Sequence, residues 1–194
     1  MRILVVYASK YGSTAGVASA IAEGLRAWGH EVDTRPAPSA PAPGDYDAAV
    51  IGSGVYMGSW LKPAAAYLEA HATTLAQRPV WLFGVGPLGA EDPQPAGEPA
   101  QARQLVERVG ARGYETFTGA LDRGRLGLAD RLIARAVKAP DGDFRDWTAI
   151  RAWADGVADA IARTSADGAT HPRTGARGTA PSAMPEAPRG GATA

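Results

Sequence analysis

The sequence predicts a doubly wound α/β protein, a parallel sheet of five strands with helices on both faces. Three observations carry this. Five short β-rich runs recur along the first 121 residues. Helical periodicity fills most of the stretches between and after them. The first, third and fourth runs are almost wholly apolar, as strands covered on both faces must be. Strand, crossover and strand repeated in this way close into a parallel sheet.

The elements follow in order. Residues 2–7 (RILVVY) form the first strand. Residues 13–28 form a helix, with Val17, Ile21 and Leu25 recurring at i, i+4 and i+8 and Gly29 closing it. Residues 31–35 form the second strand, and four prolines between Pro36 and Gly44 replace the next helix. Residues 46–52 (YDAAVIG) form the third strand. Residues 62–77 form a helix with Pro63 in its first turn. Residues 79–85 (PVWLFGV) form the fourth strand, residues 100–112 a helix, and residues 114–121 the fifth strand. A last helix spans 147–163, capped by Asp146 or Asp143.

Composition limits the chemistry. The 194 residues contain no Cys, which excludes disulfides, thiolate metal sites and a Cys nucleophile. His30, His71 and His171 are far apart and show no metal spacing, so no metal is expected. Twenty basic and twenty acidic residues cancel, leaving no field that favours nucleic acid. The 41 Ala and the 17 Arg against 3 Lys reflect coding style rather than mechanism. The apolar start is too short for a signal segment, and no run approaches the ~20 apolar residues of a membrane span. The expectation is a cytoplasmic protein.

Residues 165–194 hold 8 Ala, 5 Gly and 4 Pro, and Met184 is their only large apolar side chain. Such a segment cannot offset its ordering entropy, which predicts a folded domain over 1–164 and a disordered tail over 165–194. The domain alone carries 17 basic and 18 acidic residues, a net charge of −1.

Sheets of this kind bind ligands beyond the carboxyl ends of their strands, which directs attention to three loops. The first is Ser9, Lys10, Tyr11, Gly12, Ser13 and Thr14. Hydroxyls, a glycine and the N–H groups of a helix N-terminus suit a phosphate. The same residues also describe an ordinary turn with a Ser or Thr cap. The second is Ser53, Gly54, Val55, Tyr56, Met57 and Gly58, followed by Trp60. Its aromatics serve either to stack on a flat ligand or to fold back as core. The third is Val85, Gly86, Pro87, Leu88 and Gly89, whose backbone groups can read the polar edge of a heterocycle.

Competing sites fail. No Walker loop exists, and the formal Gly-x-Gly-x-x-Gly at 84–89 follows the fourth strand instead of the first. The acidic residues of a receiver domain are missing from the ends of strands one and three. A calcium loop begun at Asp141 would place Ala152 where a Glu is required. No Gly-x-Ser-x-Gly elbow is present.

The loop from Ser9 to Thr14 resembles the FMN phosphate loop of flavodoxins. Within that superfamily the chain is similar to the menaquinone-dependent protoporphyrinogen dehydrogenase branch. That likeness is carried by residues 50–58, by 117–121 and by the run from Gly127 to Trp153, including Asp130-Arg131, Gly142-Asp143 and Asp146-Trp147. The resemblance spans about residues 1–163 and implies strand order 2-1-3-4-5. It implies FMN, with its phosphate on Ser9–Thr14, its ring between 53–58 and 85–90, and Gly119 to Asp122 closing the site. It implies oxidation of a porphyrinogen with a quinone acceptor in haem synthesis, with the flavin doing the chemistry and no catalytic side chain. Lys10 and Tyr11 stand where such loops commonly hold smaller or acidic residues. Tyr56-Met57 replaces an expected basic–aromatic pair. Two other roles compete: a flavodoxin shuttling electrons between redox proteins, and a flavin-free interaction module. A shuttle of this kind usually shows a strongly acidic face, which a net charge of −1 does not supply.

An insertion, 123–146, follows strand five. Within it residues 123–138 form a basic amphipathic helix with an apolar stripe of Leu128, Leu132, Ile133, Ala136 and Val137. The expectation is that this stripe packs on the sheet. Peripheral contact with the inner face of a membrane is the alternative.

Overall fold

A computed structural model describes residues 1–56, 58–86, 100–136 and 141–170. The strands of the main sheet are β1 (Arg2–Ala8), β2 (Glu31–Pro36), β3 (Ala48–Tyr56), β4 (Ser59–Trp60), β5 (Val80–Val85) and β6 (Gly113–Phe117). The five long strands run parallel in the order β2-β1-β3-β5-β6, which is the expected 2-1-3-4-5. The short β4 folds back antiparallel on the end of β3. Register aligns the carboxyl ends: Ala8 is abreast of Ser53, Ser53 of Gly84, and Gly84 of Thr116.

Apolar runs become central strands because alternate residues feed opposite cores. Ile3, Val5, Val50, Trp81 and Phe83 pack beneath α1 (Ser13–Ala27) and α6 (Trp147–Thr170). Leu4, Val6, Ile51 and Leu82 pack beneath α2 (Lys62–Ala70), α3 (Ala72–Leu75) and α4 (Ala100–Val109). Two glycines let α1 approach α6. A Cβ on Gly24 would lie 2.9 Å from that of Ala154, and one on Gly16 would collide with the Arg145 guanidinium.

Several boundaries differ from the sequence expectation. The third strand continues through Ser53 to Tyr56, so the predicted second loop is largely strand, turned at Gly58 with φ 75°. The helix expected over 62–77 breaks at His71, whose ring lies 4.6 Å from that of Tyr67. Helix α4 ends at Val109, where Gly110 takes φ 60°. The proline-rich stretch after β2 makes two 3₁₀ turns, Ala37–Ser39 and Pro43–Asp45.

The strand expected over 114–121 is interrupted. Gly86 N–H donates to Phe117 C=O at 3.0 Å, ending the pairing with β5. Thr118 Oγ1 and Gly119 C=O then bond to Phe144, and β7 (Ala120–Leu121) leaves the sheet to pair with β8 (Gly142–Asp143). Between them lies a 3₁₀ turn, Arg123–Arg125, and helix α5 (Leu128–Ala136). The expected packing of the α5 stripe on the sheet does not occur for its leucines, since Leu128 is 82% and Leu132 70% exposed. Val137, the last member of that stripe, lies outside the described residues. Asp146 Oδ1 accepts from the N–H groups of Thr148 and Ala149 and is the cap of α6. That helix runs to Thr170, past the expected helix end at 163.

Candidate functional site

The described parts of the three sequence segments meet at the carboxyl edge of the sheet. In the first, Gly12 takes φ 91° as the residue capping α1 and contributes no side chain. The first intrahelical bond runs from Gly16 N–H to Gly12 C=O, so the N–H groups of residues 13–15 emerge from the helix end. Ser9 Oγ accepts from Gly12 N–H at 3.0 Å, which bends the loop back on itself. Ser13 Oγ accepts from Ala120 N–H at 2.8 Å. Thr14 is buried. Each hydroxyl that accepts retains its own proton as a donor.

Thr14 faces the second segment. A Cβ on Gly54 would lie 3.2 Å from Thr14 Oγ1 and 3.1 Å from the Tyr56 ring, so glycine allows the approach. Ser53 is fully buried, donates to Gly54 C=O at 2.9 Å and accepts from Leu61 N–H at 2.9 Å. Its hydroxyl shapes the strand end and is not presented to a ligand. Of the two aromatics, Trp60 is core, with its ring N–H on Tyr114 Oη at 3.4 Å and its backbone N–H on Gln101 Oε1 at 2.7 Å. Tyr56 is 42% exposed and is the one left to stack on a ligand. Partial burial pushes its hydroxyl above the ordinary tyrosine value.

Val55 joins the third segment, because a Cβ on Gly86 would lie 3.2 Å from Val55 Cβ. Val85 is buried, in the core beneath α1 and α6. Met57, Pro87, Leu88 and Gly89 lie outside the described residues.

The segment after β6 closes one side, as the Ser13–Ala120 bond records. A cleft of about 480 Å³ separates it from the first loop, lined by Tyr11, Ser13, Leu121, Arg125 and Arg145 among others. Arg145 fixes that wall. It is held by Asp143 at 2.6 Å, lies 4.3 Å from the Trp147 ring and reaches Ser13 C=O at 3.5 Å.

Lys10 and Tyr11 depart from a simple phosphate cradle. Lys10 Nζ lies 2.6 Å from Asp130 on α5, and the Tyr11 hydroxyl donates to the same carboxylate oxygen. Asp130 and Arg145 are site residues that the loop-by-loop reading of the sequence missed. More than a hundred positions separate Asp130 from Lys10 and Arg145 from Ser13, and no local pattern joins them.

The Flavodoxin domain family profile matches residues 4–148, three quarters of the chain. The chain belongs to the flavodoxin domain family. Solved flavodoxins share its fold. One from the domain Archaea is 15% identical with a TM-score of 0.57, covering 84% of this chain and 99% of that one. One from Streptococcus pneumonia TIGR4 is 16% identical with a TM-score of 0.54, over 84% and 99%. The rubredoxin oxygen:oxidoreductase of Desulfovibrio gigas is 16% identical with a TM-score of 0.56, but the match spans 85% of this chain and only 37% of that one. No curated protein matches the chain in sequence.

FMN is the cofactor that flavodoxin membership brings. The residues fit it. A phosphate would meet a helix end without a side-chain cap, with the Ser9 and Ser13 hydroxyls beside it, and Tyr56 is exposed where a ring could stack on it. This flavodoxin-like chain is therefore a flavin redox protein.

Proposed function

We propose that the flavodoxin domain oxidises a porphyrinogen-type small molecule and delivers the electrons to a quinone held in a membrane. FMN, when bound, supplies the two-electron acceptor. In each cycle the substrate loses two electrons and two protons, and the quinone takes up both as quinol. The protein's part is positional. Residues 9–14 hold the phosphate, Tyr56 and the segment at Val85–Gly86 hold the ring, and no side-chain acid or base is required.

The observation that carries this reading is the exposed face of α5. Leu128 and Leu132, four residues apart, lie on one side of the helix and point into solvent. Arg131 and Arg135 share the helix, and Arg123 and Arg125 precede it. An apolar ridge among arginines suits an anionic lipid surface. It lies beside the flavin site, because Asp130 of the same helix contacts Lys10. On this reading the protein works in the cytoplasm at the inner face of the membrane.

A one-electron shuttle is the second reading. It is favoured by the match to stand-alone flavodoxins along 99% of their length. The near-neutral charge of residues 1–164 weighs against it.

Anaerobic turnover separates the two. The FMN-loaded protein is mixed with protoporphyrinogen and a soluble menaquinone analogue. Three two-electron cycles take protoporphyrinogen to protoporphyrin, so one porphyrin and three quinols per substrate consumed are expected. No porphyrin, together with rapid reduction of the flavin by a redox protein, would establish the shuttle instead.

A further inference from the structure

Lys10 is the only charged side chain in the cofactor loop, where Ser9, Ser13 and Thr14 supply neutral donors. Its ammonium is engaged by Asp130 on α5 at 2.6 Å. The Tyr11 hydroxyl donates to the same carboxylate, and Gly127 N–H donates to Tyr11 Oη at 3.4 Å. The ammonium also lies 5.4 Å from the Tyr11 ring and 5.8 Å from the Tyr56 ring. It therefore sits where the cofactor loop, the end of β3 and the insertion helix come together.

Two physical facts make this arrangement exchangeable. The ion pair is solvated, with the Lys10 side chain 43% and the Asp130 side chain 25% exposed, and such pairs hold weakly. A phosphate monoester carries roughly twice the charge of a carboxylate at neutral pH and offers three acceptor oxygens. Where a carboxylate and a phosphate compete for one ammonium, the dianion is favoured.

We propose that Lys10 is the phosphate-reading cation of this loop and that Asp130 is its built-in competitor. A phosphate monoester on the loop takes the ammonium from Asp130 and so loosens α5 from the cofactor site. The inference rests on the FMN assignment and adds residue roles to it. The mutual shift of the pair agrees with it: the hydrogen bond to Asp130 raises the Lys10 ammonium above its ordinary value, and that from Lys10 lowers the Asp130 carboxyl. By reciprocity, whatever frees α5 from the loop must also strengthen phosphate binding. The insertion thus reports whether cofactor is present.

Titrations of the flavin-free full-length chain with FMN and with riboflavin, followed by quenching of flavin fluorescence, test this. Asp130→Asn is expected to bind FMN about threefold or more tightly than wild type, with riboflavin affinity unchanged. Lys10→Met is expected to weaken FMN by about tenfold, to leave riboflavin unchanged, and to abolish the effect of Asp130→Asn in the double variant. Amide exchange over residues 128–136 should quicken when FMN is added to wild type. The competition is overturned if Asp130→Asn leaves FMN affinity unchanged or weakens it, or if Lys10→Met weakens both flavins equally. A wild type that binds neither flavin would overturn the cofactor assignment itself.

Discussion

Ala120 N–H donates to Ser13 Oγ at 2.8 Å, so the first residue of α1 and the strand that opens the insertion share a hydrogen bond across 107 positions. Because the serine oxygen accepts, its proton remains free for an anion at the helix end. Ser13→Ala removes both functions. The variant is expected to lose about 1–2 kcal/mol of stability from the abandoned N–H, or roughly 2–4 °C of melting temperature per kcal/mol. Its FMN affinity should fall about fivefold or more for want of one charge-assisted donor. Thermal melts and flavin titrations read the two effects separately.

Gly12 of the first loop and Gly52 of β3 act through different physics, and the same methods distinguish them. Nothing lies within 4 Å of a Cβ on Gly12, yet its φ of 91° is one that a β-branched residue resists. Gly12→Val is expected to distort the loop and weaken FMN by about tenfold, the backbone strain being about 1–2 kcal/mol. Gly52 has no positive φ but faces Phe83, and a Cβ there would collide with the tip of the ring. Gly52→Ala should therefore cost about 1–3 kcal/mol in a melt by overpacking between β3 and β5. Gly44, with open space around it, is the control, and Gly44→Ala should change stability by no more than about 0.5 kcal/mol.

The strands were legible because apolar runs such as 3–6 and 80–85 read as strands covered on both faces, each delivering alternate residues to two cores, while their order came from the family resemblance. The cofactor loop was legible because its chemistry is local: a glycine, hydroxyls and a helix start within six residues. What escaped was set by distant partners. Ser53 reads like a loop hydroxyl, but its bonds to Gly54 and Leu61 depend on β4 folding back. The break after Phe117 depends on Phe144, which bonds to Thr118 and Gly119 from beyond the insertion. The α5 stripe has the periodicity of a packed helix. Periodicity cannot say whether anything lies opposite, and Leu128 and Leu132 face solvent.

Acid should weaken the wall beside the first loop. Arg145 donates to Asp143 from Nε at 2.7 Å and from Nη2 at 2.6 Å, and this holds the Asp143 carboxyl below its ordinary value of 3.8. A depressed carboxylate contributes stability that is complete above the unfolded value and is lost as pH falls through the folded one. Asp143 is 46% exposed, so the contribution is screened to about 1 kcal/mol or less. Urea unfolding should show Asp143→Asn less stable than wild type at pH 7, with the difference shrinking progressively as pH falls below the ordinary carboxyl value of 3.8. A difference that persists undiminished in acid would mean that Asp143 acts through shape rather than charge.

Exposure of Leu128 and Leu132 makes the membrane reading testable without any turnover. Neither leucine is core, so the double variant Leu128→Ser, Leu132→Ser should keep wild-type stability to within about 0.5 kcal/mol. Wild type is expected to sediment with phosphatidylcholine vesicles containing about 30% phosphatidylglycerol, and to leave them as salt is raised. The leucine variant should stay in solution. Arg131→Glu with Arg135→Glu should lose the salt-sensitive part, about 1 kcal/mol or fivefold in partitioning for each arginine removed. A wild type that remains in the supernatant at low salt would show that these leucines serve something other than lipid, and the case for a membrane-held quinone would go with it.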